Sequence, residues 1–353
     1  MSRRRVRRLA LFAATAALTA LAGVLHFATH SAVATFLVAG AALAGLAWVV
    51  GVGTEAVGAR FGAAATGVLQ STLGNLPELF IVVFALRAGE TVVAQTSILG
   101  SIFANGLLVL GLAMVVGARA SEDGVMRFSA RLPNDTAVLM LLASFLIVVL
   151  GVSDRIGDRA SRHEVGISVV GAVVLLSIYA VWLWGYLRGG DAAAEQTGTH
   201  EGVSFVQGLV LLAVAGVGAA LVSDWFVAAL DPAVRAIGIS KAFTGLVIVA
   251  IAGNAVENVV GITLAAKGRA DLAISVIKNS VAQVAVFLFP VLVLISLFFS
   301  DRLTFVVNPV LTGALALAAI AVWAITGDGR AVTFEGWALV GFYAILATIV
   351  WYE

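Results

Sequence analysis

The chain has 353 residues, of which 61% are hydrophobic and 12% are charged, against roughly 25% charged residues in an ordinary soluble domain. With a mean hydropathy of +1.07, this composition excludes a soluble fold of this length and predicts an all-α polytopic membrane protein. A net charge of +1 gives nucleic-acid binding no electrostatic support. The lack of cysteine excludes disulfides, thiolate metal sites and cysteine nucleophiles.

Apolar runs long enough to cross a hydrocarbon core about 30 Å thick follow one another along the chain. In chain order the eleven predicted spans are roughly residues 8–28, 32–54, 63–86, 91–117, 134–152, 165–187, 203–223, 240–266, 271–299, 303–325 and 333–352. The first span follows an arginine-rich start, which is also typical of a cleaved signal peptide. Its apolar part, from Leu9 to Leu25, is longer than an ordinary signal-peptide core of about 7–15 residues. An uncleaved first helix with a cytoplasmic N-terminus is therefore favoured.

The longest polar stretch inside the chain, residues 188–202, separates two sets of spans. It contains Asp191, Glu195 and Glu201 and no basic residue after Arg188. It is either a solvated linker or an acidic segment that attracts cations to the membrane surface. The predicted organisation is a basic segment with the first helix at 1–30, a five-helix unit at 31–187, the linker at 188–202 and a second five-helix unit at 203–353.

A short motif recurs in the two five-helix units. Gly74-Asn75-Leu76-Pro77-Glu78 in the first unit returns in the second as Gly253-Asn254-Ala255-Val256-Glu257, and Ser101 in the next span returns at the same offset as Ser280. Five spans is an odd number, so the two units are predicted to cross the membrane in opposite directions. This is the inverted-repeat plan of secondary transporters, in which the site lies near the membrane midplane where the repeats meet.

Glu78 and Glu257 are the two acids that lie deep inside predicted spans, whereas the other 18 are placed in loops or near span ends. A carboxylate at this depth costs about 3 kcal/mol, so two acids satisfied by hydrogen bonds alone are disfavoured. The two side chains are predicted to face each other and a cation. Because protons and a divalent cation compete for the same oxygens, the pair is expected to bind them alternately.

Polar residues near the two glutamates predict an oxygen-lined site of the kind that Ca²⁺ prefers, with about six to eight oxygen ligands. Gly74 and Gly253 permit the helix to unwind, and Pro77 leaves one backbone carbonyl without its donor. The alternative for the two glycines is close packing between helices. The side chains expected to add neutral oxygens are Thr72, Asn75, Ser101, Asn105, Asn254, Ser280 and Gln283.

The spans that begin the two units are predicted to gate the site. Each contains an acid that follows a hydroxyl residue, Glu55 in the first unit and Asp224 in the second. In an inverted repeat the equivalent elements open the two sides alternately while the site itself stays nearly fixed. These two spans are therefore expected to slide over four-helix cores.

The motifs resemble the two signature repeats of the cation/proton exchangers in the calcium/cation antiporter superfamily. The matching segments are Gly74-Asn75-x-Pro77-Glu78-Leu79 and Gly100-Ser101-Ile102-x-x-Asn105 in the first unit, and Gly253-Asn254-Ala255-Val256-Glu257, Asp271-Leu272, Ser280-x-x-Gln283 and Pro290 in the second. The resemblance implies an eleven-helix fold, made of one N-terminal helix and two inverted five-helix repeats. It also implies export of cytosolic Ca²⁺ in exchange for H⁺.

Three positions differ from the resembled pattern and bear on ion selectivity: Gln70, Asn258 and the stretch from Lys278 to Val281. On a helical wheel Lys278 lies about 140° from Gln283. Lys278 is therefore expected to point away from the ion with its stem directed to the cytoplasmic end of the helix. The alternative is a fixed positive charge near the site.

Exchange of another cation is the main alternative function, either Na⁺ for Ca²⁺ or H⁺ for Mn²⁺ or Mg²⁺, because two acids do not select among these ions. A non-transporting membrane sensor has no need of two buried acids. An enzyme is disfavoured, since the chain has no H-E-x-x-H or G-x-S-x-G motif. No permanent cofactor is expected. The expected partners are Ca²⁺, H⁺ and membrane lipid, with a homo-oligomer left open, in a bacterial cytoplasmic membrane.

Overall fold

The computed structural model of the chain describes residues 3–29, 31–58, 72–129, 131–188 and 203–353, and these residues are almost entirely helical. We label the helices α1 (Arg3–Ala28), α2 (Ala32–Gly58), α3 (Leu76–Arg87), α4 (Thr91–Ala120), α5 (Arg131–Ile156), α6 (Glu164–Arg188), α7 (Phe205–Ile237), α8 (Lys241–Gly253), α9 (Ala255–Ala266), α10 (Ala270–Ser296), α11 (Pro309–Thr326) and α12 (Thr333–Trp351). The prediction of an all-α membrane protein is confirmed.

Nine of the helices in the described part of the chain are long and apolar enough to cross a membrane, and the bent pair α8 and α9 is a tenth if it is counted as one span. The predicted third span, residues 63–86, lies partly outside the described residues. Its described part is helical at residues 72–74 and continues into α3. The predicted acidic linker also lies outside the described residues for nearly all of its length.

Two short strands join distant loops into an antiparallel pair. β1 (Val125–Arg127) follows α4, and β2 (Arg330–Val332) precedes α12, with Met126 opposite Ala331. Between the strands lie α5, α6, α7, the pair α8–α9, α10 and α11. An even number of crossings returns a chain to the side where it began, so the pairing agrees with all of these elements crossing the membrane.

Helix α7 continues beyond the end of the predicted span. The predicted span stops at residue 223, but α7 has 33 residues and continues through Asp224 to Ile237, a length of about 50 Å. The side chain of Asp224 is exposed, and apolar residues continue on the buried side of the helix beyond it. A single acid therefore does not end the helix. Helix α11 is also corrected, because it begins at Pro309 rather than at residue 303.

Helices α2 and α7 lie side by side in antiparallel directions. Near one end an added Cβ at Gly53 would lie 2.9 Å from the carbonyl oxygen of Gly208. Near the other end the rings of Phe36 and Phe226 stack with centroids 4.6 Å apart. Small residues let membrane helices approach closely, which favours dispersion contacts between them. As a result, the acids Glu55 and Asp224 lie toward opposite ends of this helix pair.

The centre of the molecule is built from α4, α8 and α10, and each of these helices contains a π-helical segment. The segments are Ala104–Val109, Thr244–Val249 and Val284–Leu288. A π segment inserts an extra residue into the turn, re-aims the side chains around it and is frequent at functional sites. Glycine again permits the closest approach, because a methyl group at Gly100 of α4 would overlap the backbone of Leu246 in α8.

Candidate functional site

Two interrupted helices frame the candidate site. The chain turns at Asn75 (φ −84°, ψ 7°) before α3, and at Asn254 (φ −102°, ψ 19°) between α8 and α9. The segments on either side of the second turn are bent by 62°. Each interruption directly follows the glycine of the repeated motif. At the first break Pro77 has no N–H for the carbonyl of Leu73, whereas at the second the N–H of Asn254 donates to the carbonyl oxygen of Ala250 at 3.2 Å.

Each motif glutamate lies in the first turn of the helix that starts after the interruption. Glu78 is at the beginning of α3, and Glu257 is at the beginning of α9. The first turn of a helix carries unpaired N–H groups and a partial positive charge, so a carboxylate is stabilised there. The break in the helix therefore lowers the cost of holding an acid at this depth.

The two glutamates cross over, so that each one faces the glycine of the other motif. A methyl group added to Gly74 would collide with Oε1 of Glu257, and one added to Gly253 would lie 3.7 Å from Cβ of Glu78. The fold thus brings together two acids that belong to different halves of the sequence.

Glu78 is fully buried and is held by side chains from two other helices. Its Oε1 accepts a hydrogen bond from Oγ of Ser101 in α4. The amide nitrogen of Asn254 donates to Oγ of Ser101 at 2.8 Å and to the carbonyl oxygen of Ala250 at 2.9 Å, and it lies 3.5 Å from Oε1 of Glu78. The Asn254 side chain at the second helix break therefore helps to position the acid that follows the first.

Asn105 extends the network to the second unit. Its amide nitrogen donates to Oδ1 of Asn254 at 3.1 Å and to Oγ of Ser280 at 3.0 Å. Asn105 lies in the π segment of α4, whose extra residue sets the direction in which the side chain points. Ser101, Asn105, Asn254 and Ser280 are all buried. The network consequently links α3, α4, α10 and the α8–α9 break.

Several enclosed oxygens of this cluster accept no hydrogen bond within the described part of the chain. They are Oε2 of Glu78, Oε2 of Glu257, Oδ1 of Asn105 and Oε1 of Gln283. A buried acceptor without a donor costs about 1–3 kcal/mol, and more when it is charged. These atoms are all oxygens, the ligand type of hard cations such as Ca²⁺. A bound cation, or a proton on a carboxylate, would satisfy them.

The remaining predicted site residues lie near the network, at different positions relative to the two helix breaks. Asn75 is buried at the first break, and Pro77 is buried in the first turn of α3. Thr72 is half-buried one turn before the break. No hydrogen bond between described residues joins it to Glu78 or Glu257. Gln283 is buried at the start of the α10 π segment. It faces the site region without joining the chain of hydrogen bonds from Glu78 to Ser280.

Lys278 points away from the network, as predicted. Its Nζ donates to Oγ1 of Thr326, the last residue of α11, at 2.6 Å. The side chain is only 4% exposed, so it ends on a buried hydroxyl and does not reach solvent as a snorkelling lysine would. Thr326 could not be identified from the sequence, because nothing in the local pattern indicates that the end of α11 lies beside Lys278.

Tyr179 of α6 is a second residue that the sequence analysis missed. It is buried and is a near neighbour of Gln283, although its hydroxyl makes no hydrogen bond within the described ranges. A polar tip of this kind inside a helix bundle usually has a partner. Only the packing of α6 against the π segment of α10 places it here, so no sequence signal was available.

Comparison with known proteins identifies relatives over nearly the whole chain. The model of the family described as "Sodium/calcium exchanger protein" matches residues 31–187 and 207–352. A Ca²⁺/H⁺ antiporter of Synechocystis sp. is 30% identical over 349 residues, which cover 92% of this chain and 93% of the relative. The Ca²⁺/H⁺ antiporter ChaA of Bacillus subtilis is 30% identical over 347 residues, which cover 96% of both chains.

Comparison with solved structures also finds exchanger structures with the same fold. The structure of native YfkE superposes with a TM-score of 0.82 at 27% identity, covering 97% of this chain and all of that one. The crystal structure of an H⁺/Ca²⁺ exchanger, CAX, superposes with a TM-score of 0.74 at 16% identity, covering 97% of this chain and 91% of that one. At this level of identity the second comparison supports the fold alone.

Proposed function

The chain belongs to the sodium/calcium exchanger protein family, and on this premise we propose that it is a secondary active antiporter that exports cytosolic Ca²⁺ in exchange for H⁺. One observation carries the proposal: Glu78 and Glu257 face each other's helix breaks, and each has an enclosed oxygen without a donor. Such oxygens are costly unless they hold a proton or a cation. The same oxygens therefore suit both transported species.

Exchange follows from competition for the two carboxylates. One Ca²⁺ or two protons neutralise the pair, and the binding of either excludes the other because the same oxygens are used. Ca²⁺ needs more oxygens than two carboxylates supply. We assign the remainder to the carbonyls freed at the breaks near Gly74 and Gly253, and to the side chains of Thr72, Asn75, Ser101, Asn105, Asn254, Ser280 and Gln283. Ca²⁺ is the cargo in this proposal and not a permanent cofactor.

The proposed architecture is one N-terminal helix followed by two five-helix repeats of opposite orientation, with the linker at 188–202 between them. Helices α3 and α9 support it, because each has 12 residues and the offset between their first residues equals the offset between their last. The π segments of α4 and α10 follow at nearly the same offset. Corresponding broken helices that meet at a midplane site are typical of inverted-repeat transporters.

Helices α2 and α7 are the proposed gates. They are the first helices of the two repeats and lie against each other along their length, with Glu55 and Asp224 toward opposite ends. If the pair slides over the remaining helices, each acid is placed to attract cations to one mouth of the pathway. The proposed location is the bacterial cytoplasmic membrane, with the arginine-rich N-terminus in the cytoplasm.

Flux measurements test the function. Purified protein in vesicles with an acidic interior should accumulate Ca²⁺, and a protonophore should abolish the uptake. Glu78→Gln and Glu257→Gln should each lose uptake, whereas Glu122→Gln, at an exposed acid outside the site, should retain it. Uptake driven by a Na⁺ gradient in place of a pH gradient would favour Na⁺/Ca²⁺ exchange instead. The absence of uptake under either gradient would favour a non-transporting protein.

A further inference from the structure

An apolar groove runs between α1, α2 and α7 on the side of the molecule away from the glutamate network. Its volume is about 740 Å³, and its lining includes Phe12, Ala16, Ala20, Leu46, Val214 and Trp225. On α1 it extends from Phe12 to Ala28, about 24 Å along the helix axis. Most of α1 is exposed in the structure, so the groove opens toward the hydrocarbon core of the membrane.

The arginine one turn before the groove can place one nitrogen on a phosphate. The guanidinium of Arg8 lies 5.8 Å above the ring of Phe12, the first groove residue on α1. Its Nε and Nη2 are enclosed by protein and donate no hydrogen bond to any described residue, whereas Nη1 is not among the enclosed nitrogens and is the one that a phosphate would meet. A planar guanidinium is also well suited to bind the oxygens of a phosphate.

The charge around this end of the groove favours an anion. Arginines occupy positions 3, 4, 5, 7 and 8 of the sequence. The acid of α2 toward this end is Glu55, because α1 and α2 are antiparallel and Thr15 of α1 lies against Gly45 of α2. On α1 and the facing end of α2, five arginines stand against this one acid, whereas the acids Asp191, Glu195 and Glu201, which precede α7 in the sequence, lie outside the described residues. Clusters of Lys and Arg beside a membrane helix are typical of anionic-lipid binding.

We propose that this groove is a binding site for one anionic phospholipid, with the headgroup phosphate on Arg8 and an acyl chain along Phe12, Ala16 and Ala20. The dimensions fit, since a chain that fills one leaflet spans about half of a 30 Å hydrocarbon core, which is shorter than the groove. A soluble anion would satisfy Arg8 but would leave the apolar surface exposed. A zwitterionic lipid would fill the groove but would bring its own positive charge beside Arg8.

The site can be tested with purified protein in detergent by native mass spectrometry. The probes are dioleoyl phosphatidylglycerol, dioleoyl phosphatidylcholine with the same chains and no net charge, and inorganic phosphate with charge and no chains. We expect phosphatidylglycerol to bind about tenfold more tightly than phosphatidylcholine, as a charge-assisted phosphate contact implies. Arg8→Gln should remove this preference, whereas Arg7→Gln, at an exposed arginine next to it, should retain it.

A second pair of variants tests the groove itself. Ala16→Phe fills the groove from an exposed position on α1 and should weaken binding of both lipids. Ala17→Phe adds the same bulk to the neighbouring exposed position outside the groove lining and should leave binding unchanged. Equal affinity for the two lipids, an unchanged preference in Arg8→Gln, or full displacement of phosphatidylglycerol by inorganic phosphate would each overturn the proposal. pH-driven Ca²⁺ uptake is measured separately, so a negative result in the lipid-binding experiments would not contradict the proposed function.

Discussion

The two motif glutamates occupy different environments, although their surrounding sequences repeat. Glu78 is fully buried and accepts a hydrogen bond from Ser101. Glu257 is half-buried, and the serine at the equivalent position, Ser280, accepts from Asn105 instead. Two identical repeats in a symmetric arrangement would give two equal sites. The two units share the motif and not the whole sequence, and in this structure their glutamates have different hydrogen-bond partners.

Unequal conformations of equivalent halves are what alternating access requires. In an inverted repeat the two extreme states exchange the conformations of the halves, so the environment of one glutamate in one state belongs to the other in the opposite state. Under the proposed inverted-repeat architecture, the hydrogen bonds of the two glutamates would therefore exchange as the protein changes state. Matched substitutions in the two halves test this comparison, from the largest expected effect to the smallest.

The largest contrast is expected when each glutamate is shortened by one methylene group. Glu78→Asp should lower Ca²⁺ uptake about a hundredfold, because its fully buried carboxylate is fixed by Ser101 and cannot move to recover the lost reach. Glu257→Asp should lower uptake about tenfold, because no side chain of the described residues fixes its carboxylate as Ser101 fixes that of Glu78. Initial rates in vesicles measure both variants, with Glu122→Asp as the control. Equal losses, or a larger loss at Glu257, would contradict the asymmetry.

Accessibility can be measured directly because the chain contains no cysteine. Glu257→Cys should react with a water-soluble methanethiosulfonate reagent at least about tenfold faster than Glu78→Cys, since thiol reactivity follows exposure. Glu122→Cys, at an exposed position, gives the reference rate. Labelling is followed by intact mass in the ion-free protein. If both motif positions react at one rate, the solution state is not the one described here.

The two motif glycines should respond unequally to an added methyl group. Gly74→Ala places it against Oε1 of Glu257, so the carboxylate must move and Ca²⁺ affinity should fall about tenfold. Gly253→Ala meets Glu78 only at 3.7 Å, an ordinary contact, and affinity should change less than about twofold. Calorimetric titration with Ca²⁺ measures both values. A lowered melting temperature with unchanged affinity in Gly74→Ala would assign that glycine to helix packing alone.

The smallest contrast concerns the two motif serines. Ser101→Ala removes a hydrogen bond to a carboxylate and should lower the stability of the ion-free protein by about 1.5–3 kcal/mol. Ser280→Ala removes an acceptor from the neutral amide of Asn105 and should cost about 0.5–1.5 kcal/mol. Thermal unfolding in detergent compares the two variants at one pH. A larger loss in Ser280→Ala would show that the hydrogen bond of Ser101 contributes less to stability than the structure indicates.

The features that could be predicted from the sequence are those that depend on transfer from water to lipid. Runs of apolar residues must be helical in a membrane because every backbone group needs an internal partner, so the all-α fold followed from composition. The cost of a buried carboxylate singled out Glu78 and Glu257 among 20 acids. The constant offset between the repeats then related the two motifs, and the structure places both glutamates beside each other's motif glycine.

Helix boundaries were predicted less well where a charge interrupts an apolar run. The predicted span stops just before Asp224, but α7 continues through this residue to Ile237. A charge marks where a span leaves the lipid, but a helix of 33 residues, about 50 Å long, exceeds a hydrocarbon core of about 30 Å and continues beyond it. Only the packing of α7 against α2 shows that this helix continues.

Three features were decided by the tertiary structure alone. They are the different environments of the two glutamates, the hydroxyl of Thr326 that accepts a hydrogen bond from Lys278, and the groove beside Arg8. The repeated motif carries the same local preferences in both copies, so it does not show which of the two glutamates is fully buried. The contact of Lys278 with Thr326 joins residues 48 positions apart, and the groove joins three helices from two distant parts of the chain. Local pattern determines which residues must avoid lipid, whereas the packing of helices determines which partner each of them finds.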